Sequence, residues 1–346
     1  MKQRNFLFQL HHPAHFHLFK HVISKLTDRG YSVTVVIKAK DVLEELLIAD
    51  DMQYIKIEDE SGKRAIVFNT FRRVFRLFNI ARRARTTHLV GSTVDITIVG
   101  KLLGLPSIVF FEDDFEAVPQ YARIVGRLAT ALVCPVACSA GKWESKAIKY
   151  NGYHELAYLH RDLFIPDHSA VMNLWSKKNR YAIIRFSNLN AYHDKGKSGI
   201  TNELARRILD VCLKYVDVWI VSERELPPDL EQYRLRLESS KIHSVLYYAC
   251  LYVGDSQTMA AEAAVLGTPS IRYNDFVGSL GYLEELEHTY GLTIGIRTNE
   301  DARLINEIEN RLTQIGPISS SIDRLYREKI NTAVFIEDLI LSSNWV

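Results

Sequence analysis

Residues 245–271 read VLYYACLYVGDSQTMAAEAAVLGTPSI, and the order of residue types in this stretch sets the fold class. The run CLYVG has the aromatic and β-branched content of a buried strand. It stops at Gly254-Asp255-Ser256, where glycine lets the backbone turn and Asp255 or Ser256 can cap a helix. An alanine-rich helix follows at once, "GTP" at 267–269 stops it, and a second apolar run, PSIRY, begins. Strand, helix and strand in so short a span form a parallel crossover unit.

The same unit repeats outward. Strands are predicted at 5–10, 32–37, 54–58, 87–90, 107–111 and 131–134, with helices at 14–28, 41–49, 68–85, 93–103 and 118–128. The segment 151–180 breaks this rhythm. After it, RYAIIRF, VDVWIV, LRLE, CLYVG and PSIRY read as strands, with helices near 199–214, 241–249, 258–267 and 280–290. Near-continuous apolar strands separated by helices indicate parallel sheets covered on both faces. The expectation is two doubly wound, Rossmann-like α/β domains, residues 1–160 and 181–320, joined by a linker over 161–180 and facing across a cleft. Residues 321–346 are predicted as one amphipathic C-terminal helix that packs back on the first domain. Ile322, Leu325, Ile330, Val334, Phe335, Leu339 and Ile340 carry its periodicity.

Charge narrows the partners. With 43 basic against 41 acidic residues in 346, the chain does not resemble a dedicated nucleic-acid binder. Four cysteines are too few for a disulfide framework, and Cys134 and Cys138 sit in an apolar stretch where buried thiols are the default. The amino terminus lacks a signal-peptide pattern, and no apolar run reaches the ~18 residues of a spanning helix. A cytoplasmic protein is expected.

Ligands of such folds sit at the carboxyl ends of strands, beside helix amino termini. The N–H groups at the start of the 258–267 helix form an anion site, next to Gly254, Asp255, Ser256 and Thr258. Glu262, about one turn beyond Thr258, can accept bonds from sugar hydroxyls. An ordinary capped helix with a solvent-facing glutamate accounts for the same residues.

Three further stretches hold candidate chemistry. In HHPAHFHLFKH, residues 11–21, the spacing of His17 and His21 permits a metal face, but no carboxylate completes a site. Capping and packing explain His12 and His21. His15, nearest the helix start, is the catalytic candidate, as a base or as a stabiliser of phosphate charge, with His11 and His17 as substrate contacts. In FFEDDFE, residues 110–116, the adjacent Asp113 and Asp114 can raise each other's pKa and act as a base; a solvated acidic loop is the plainer reading. The loop RFSNLNAYHDKGKSGI, residues 185–200, offers Arg185, Asn190, Lys195 and Lys197 to an anionic ligand. Residues 71–85, FRRVFRLFNIARRAR, place Phe71, Val74, Phe75, Phe78 and Ala81 on one face opposite arginines. A core-packed helix is the default there, with peripheral contact to an anionic membrane as the alternative.

The run GDSQTMAAEAAVLGTP is similar to the second-domain signature D-S-G-G-x-Q-E-E-A-x-x-x-G-x-P of UDP-N-acetylglucosamine 2-epimerases. By that match Ser256 falls on a diphosphate contact and Glu262 on the ribose-binding glutamate, while Gln257 and Thr258 stand where those enzymes carry paired glycines. The chain as a whole resembles an uncharacterised bacterial and archaeal family of glycosyltransferase-B-like proteins, whose members show HPxHxHFFK and LLYYADLVIGxGGTMxxEAALLGTP. Here those segments read HHPAHFHLFK and VLYYACLYVGDSQTMAAEAAVLGTP, and GKLLGLPSIVFFEDD and NGYHELAYL also fit. The peptidoglycan lipid-linked N-acetylglucosaminyltransferase carries a histidine-ending loop at the place that His15 resembles. These resemblances imply a metal-independent, cofactor-free glycosyltransferase of surface polysaccharide or glycoconjugate synthesis. Its donor would be a nucleotide sugar, UDP-linked by the epimerase match, and its acceptor a saccharide or lipid-linked. A UDP-sugar 2-epimerase-like enzyme and a non-catalytic sugar-nucleotide or polysaccharide-assembly protein are the alternatives.

Overall fold

A computed structural model describes residues 4–38, 42–57, 66–174, 178–187, 199–313 and 319–342. Chain contacts divide it into two units: residues up to Tyr158 with those from Ile330 onward, and Leu159–Lys329.

The first unit begins with β1 (Asn5–Leu10), whose Phe6, Leu7, Phe8 and Leu10 are buried. Helix α1 (Pro13–Asp28) follows because Pro13 pre-sets the first helical turn and the His12 ring accepts from Ala14 N–H at 3.2 Å. The chain continues through β2 (Ser32–Ile37), α2 (Leu43–Ala49), β3 (Ile55–Lys56), α3 (Ile66–Arg83), β4 (His88–Gly91), α4 (Val94–Leu103) and β5 (Ser107–Phe110). It then forms α5 (Pro119–Leu128), β6 (Ala131–Pro135) and β7 (Ala147–Tyr150). The seven strands are all parallel, in the order β3-β2-β1-β4-β5-β6-β7.

The second unit runs β8 (Tyr181–Phe186), α6 (Asn202–Tyr215), β9 (Asp217–Ser222), α7 (Pro228–Glu231), α8 (Ile242–Tyr248), β10 (Leu251–Gly254), α9 (Gln257–Leu266) and β11 (Ser270–Tyr273). Then come α10 (Gly281–His288), β12 (Thr293–Ile296), α11 (Asp301–Thr313) and α12 (Ser319–Glu328). Five parallel strands lie in the order β12-β11-β10-β8-β9. In each unit the first strand sits between neighbours reached in opposite directions, so the connections leaving the carboxyl ends of β1/β4 and of β8/β10 diverge.

The sequence reading differs from this at five places. LRLE (235–238) is no strand; the chain there makes one bridge, Arg234 against Ile220. Strands β7 and β12 and helix α11 escaped notice, the strands because four residues carry little periodicity. The predicted single C-terminal helix is two, α12 and then α13 (Thr332–Leu341). Asn331 interrupts it, since its Oδ1 accepts from Ala333 N–H at 3.1 Å and starts a new helix. Helix α13 packs on α1, and Lys25 and Arg29 hold the buried Glu337 carboxylate at 3.1 and 2.7 Å. No helix among the described residues is long and apolar enough to cross a membrane.

Candidate functional site

In the second unit the carboxyl ends of β8 and β10 meet at Asp255, the residue after β10. It is 3% exposed, and its carboxylate accepts from Ser187 N–H at 2.6 Å and from Ile200 N–H at 3.1 Å. These two residues bracket the loop from β8 to α6, so Asp255 latches both ends of that loop. Burial raises its pKa above the usual aspartate value, against the pull of the two N–H groups. The expected ligand contact is therefore replaced by a structural one: the oxygens face the protein's own backbone.

Ser256 caps α9, its Oγ accepting from Met259 N–H at 3.3 Å and its carbonyl from Ala260 N–H at 3.2 Å. The N–H groups of Gln257 and Thr258 precede that first intrahelical bond and form the positive end of the helix. Gln257 Nε2 donates to Asn274 Oδ1 at 2.7 Å, and Asn274 Nδ2 to the Asp255 carbonyl at 3.3 Å, which ties the segment after β11 to the same corner. Gly254 does not adopt a positive φ, so the turn expected of it is not its function. What it supplies is room: a Cβ there would lie 2.7 Å from Arg185 Cβ and against the Tyr252 hydroxyl.

Two arginines flank this corner. Arg185, near the end of β8, pairs with Glu223, and its buried Nε has no partner among the described residues. Arg224, which the sequence reading passed over, donates to the Ile200 carbonyl and lies 4.7 Å over the Phe186 ring. Its position just past the carboxyl end of β9, the strand beside β8, was the available signal. Glu262 is buried on α9, with Oε1 3.0 Å from Nε2 of the buried His243 on α8. Nothing in the sequence marks that pairing, because it joins two helices 19 residues apart. Asn190, Lys195 and Lys197 lie outside the described residues.

In the first unit the corresponding corner is built from side chains. Gln9, fully buried at the end of β1, accepts from the Thr93 hydroxyl and donates to Asp95 Oδ2 at 3.2 Å. Asp95, 2% exposed in the first turn of α4, takes both Nε and Nη2 of Arg73, the latter at 3.2 Å, and its Oδ2 is 3.8 Å from His11 Nε2. Sequence reasoning missed Asp95 and Gln9. A polar pair in otherwise apolar runs at two strand ends was the signal. His15 Nδ1 accepts from His11 N–H at 3.2 Å, which places the proton of a neutral ring on Nε2. His15 therefore offers a hydrogen-bond donor rather than a base. His17, expected as a substrate contact, is buried and stacks on Tyr158, centroids 4.9 Å apart.

The acidic stretch sorts itself differently from the expectation. Asp114 accepts from Ser139 N–H and anchors a loop, while Asp113 is exposed. The carboxyl with altered acidity is Glu112. Burial, then repulsion from the buried Glu155, lifts its pKa well above the usual glutamate value. It accepts from His154 N–H at 2.7 Å, and burial pushes the His154 imidazole down to about 3, so that ring is neutral. Glu112 and Glu155 oppose each other's ionisation, which shifts Glu112 toward its protonated form. The sequence set aside Glu112 for the adjacent aspartates because only the fold reveals burial.

Among the described residues no three His, Cys, Asp or Glu side chains converge on a point that could hold a metal. Cys134 is buried with its thiol pushed up to about 11, and burial raises Cys138 as well, so both are protonated and weakly nucleophilic.

Two all-parallel doubly wound units of this construction define the glycosyltransferase-B fold. The chain belongs to the family described as "Protein of unknown function (DUF354)", whose model matches residues 6–287. No curated protein sequence matches it. The fold is similar to that of UDP-N-acetylglucosamine 2-epimerase from Neisseria meningitidis bound to UDP-N-acetylglucosamine (TM-score 0.69, 13% identity, covering 98% of this chain and 100% of that one). It is similar to S. aureus MnaA in complex with UDP (0.71, 12%, 99% and 98%). It is also similar to the spinosyn forosaminyltransferase SpnP (0.66, 14%, 99% and 100%).

Proposed function

We propose that the second unit binds a nucleoside diphosphate sugar and that the protein is a glycosyltransferase acting on a saccharide or lipid-linked acceptor in surface polysaccharide or glycoconjugate synthesis. The observation that carries this reading is the corner at β8 and β10. There the amino terminus of α9 follows Asp255, Arg185 and Arg224 lie at the carboxyl ends of β8 and β9, and the buried carboxylate of Glu262 lies further along the same helix. Diphosphate oxygens suit the N–H groups of Gln257 and Thr258 and the guanidinium of Arg185. Glu262, its Oε1 3.0 Å from His243 Nε2, is the carboxylate we assign to the ribose hydroxyls. The mobile charge of a diphosphate leaving group is stabilised by the helix end and the cations, which is electrostatic catalysis of the usual kind for such transfers.

In the first unit, His15 is assigned as a donor to developing negative charge, and Glu112, whose acidity burial weakens, as the carboxyl for proton transfer. Asp113 and Asp114 drop out of that role. A UDP-sugar 2-epimerase-like reaction is the second reading, favoured by the run Asp255-Ser256 through Glu262 and by the likeness of fold to the Neisseria epimerase.

Thermal shift with UDP, TDP, UDP-N-acetylglucosamine and free N-acetylglucosamine tests the donor site. A nucleotide at ~100 times its dissociation constant raises stability by about 2.7 kcal/mol. The wild type is expected to respond to at least one nucleotide and Glu262→Gln to respond less. No response to any nucleotide removes the proposal. Product analysis with UDP-N-acetylglucosamine then separates the reactions: released UDP with an acceptor present means transfer, and a C2 epimer means epimerisation.

A further inference from the structure

Helix α3 does not sit as its sequence periodicity predicts. The reading aligned Phe71, Val74, Phe75, Phe78 and Ala81 as one core face. In the structure Val74, Leu77 and Ala81 are buried toward α4, while Phe71 is 72% exposed and Phe75 66% exposed. With about 3.6 residues per turn, Phe71, Phe75, Phe78 and Arg82 form their own stripe, one step around the helix from the buried one. Arg72, Arg76 and Arg83 occupy the next face around. Residues 71–85 contain six arginines and no aspartate or glutamate, in a chain whose net charge is only +2. One of the six, Arg73, is turned inward to Asp95.

Two phenylalanines four residues apart that face solvent cost free energy in water, and a helix confined to core packing has no use for them. The helix itself carries no aspartate or glutamate, and Arg82 and Arg83 in its last turn are exposed. Exposed rings and adjoining arginines on one helix match the two layers of an anionic bilayer surface: acyl chains just below, phosphate groups at the same depth as the guanidinium groups. We propose that α3 is a peripheral docking helix for an anionic lipid surface, lying in the interface with Phe71 and Phe75 inserted and the exposed Arg82 and Arg83 on lipid phosphates. A partner protein or nucleic acid fits less well. The net charge gives nucleic acid no broader footprint, and two rings flanked by like charges make a narrow protein interface. The proposal concerns the first unit only and is independent of the nucleotide reading.

The test uses the full chain and two vesicle compositions, phosphatidylcholine alone and phosphatidylcholine rich in phosphatidylglycerol, in co-sedimentation. Binding is expected to the anionic vesicles only and to weaken as salt rises. The double variant Phe71→Ser/Phe75→Ser should lose at least about ten-fold in vesicle affinity, given the apolar area of two phenylalanines. Its melting temperature should not fall, because neither ring is part of the core. Arg82→Ser/Arg83→Ser should lose binding to anionic vesicles while keeping its fold, since both side chains are exposed. The proposal is overturned if the wild type fails to pellet with anionic vesicles, if it pellets equally with both compositions, or if the phenylalanine variant binds undiminished. It is overturned equally if that variant turns a dimer into a monomer in gel filtration without changing vesicle binding, which would assign the rings to a second copy of the chain.

Discussion

Each unit places one buried aspartate beside its first strand, and the two solve different problems. Asp255 grips backbone N–H groups on either side of a loop. Asp95 grips side chains, Arg73, Gln9 and, at 3.8 Å, His11. A latch on the backbone works whatever residues the loop carries, so that loop is open to change in composition. A latch on side chains joins α3, β1 and α4 through specific partners, so each partner matters. The two corners therefore differ in what can rescue them.

The largest effect is expected in the first unit. Asp95→Ala leaves the Arg73 guanidinium, largely buried, without its carboxylate and should cost about 3–5 kcal/mol in urea unfolding. Adding Arg73→Ala should recover much of that loss, since removal of both partners abolishes the stranded charge. A double variant no more stable than Asp95→Ala would break the side-chain account. Asp255→Ala should cost about 2–4 kcal/mol, as two buried N–H groups lose a charged acceptor. No second side-chain deletion should rescue it, and hydrogen exchange at Ser187 and Ile200 should speed up together. Protection of either amide in the variant would contradict the latch.

Titration separates the units further. Burial holds His154 at about 3, and His21 and His88 at about 4, all three in the first unit. A depressed histidine favours folding above its unfolded value near 6.5, and that stability is lost as pH falls from there through the folded value. The first unit should thus melt at lower temperature at pH 5 than at pH 7. Glu112 acts with the opposite sign. Its raised pKa means the native state holds the extra proton, so its contribution is full below about 4.5 and declines as pH rises through the folded value. Glu112→Gln should flatten that decline and leave the acid-side loss in place. A variant with an unchanged profile between pH 5 and 8 would show that Glu112 is ionised in the native protein. This is the smallest of the effects, a matter of slope.

Much of the fold was legible because buried parallel strands announce themselves as short apolar runs and their helices as capped, periodic segments. Gly267 stops α9 at φ +85°, as a helix-ending glycine should, and Ser256 starts it. Four-residue strands at a sheet edge carry too little pattern, so β7 and β12 went unread. The site was legible in outline only. Position along the chain located the α9 amino terminus and the His15 loop, but not that Asp255 faces backbone, that His17 stacks on Tyr158, or that His243 holds Glu262. Those are contacts across sequence separations for which local pattern holds no information.

The order of residue types settled the alternation of strand and helix, hence two parallel sheets, since periodicity and capping act within a few residues. Tertiary packing settled which face of α3 is buried, which carboxyl has its acidity weakened and which aspartate is a latch. Burial and charge depend on neighbours that folding, not adjacency in the chain, brings together.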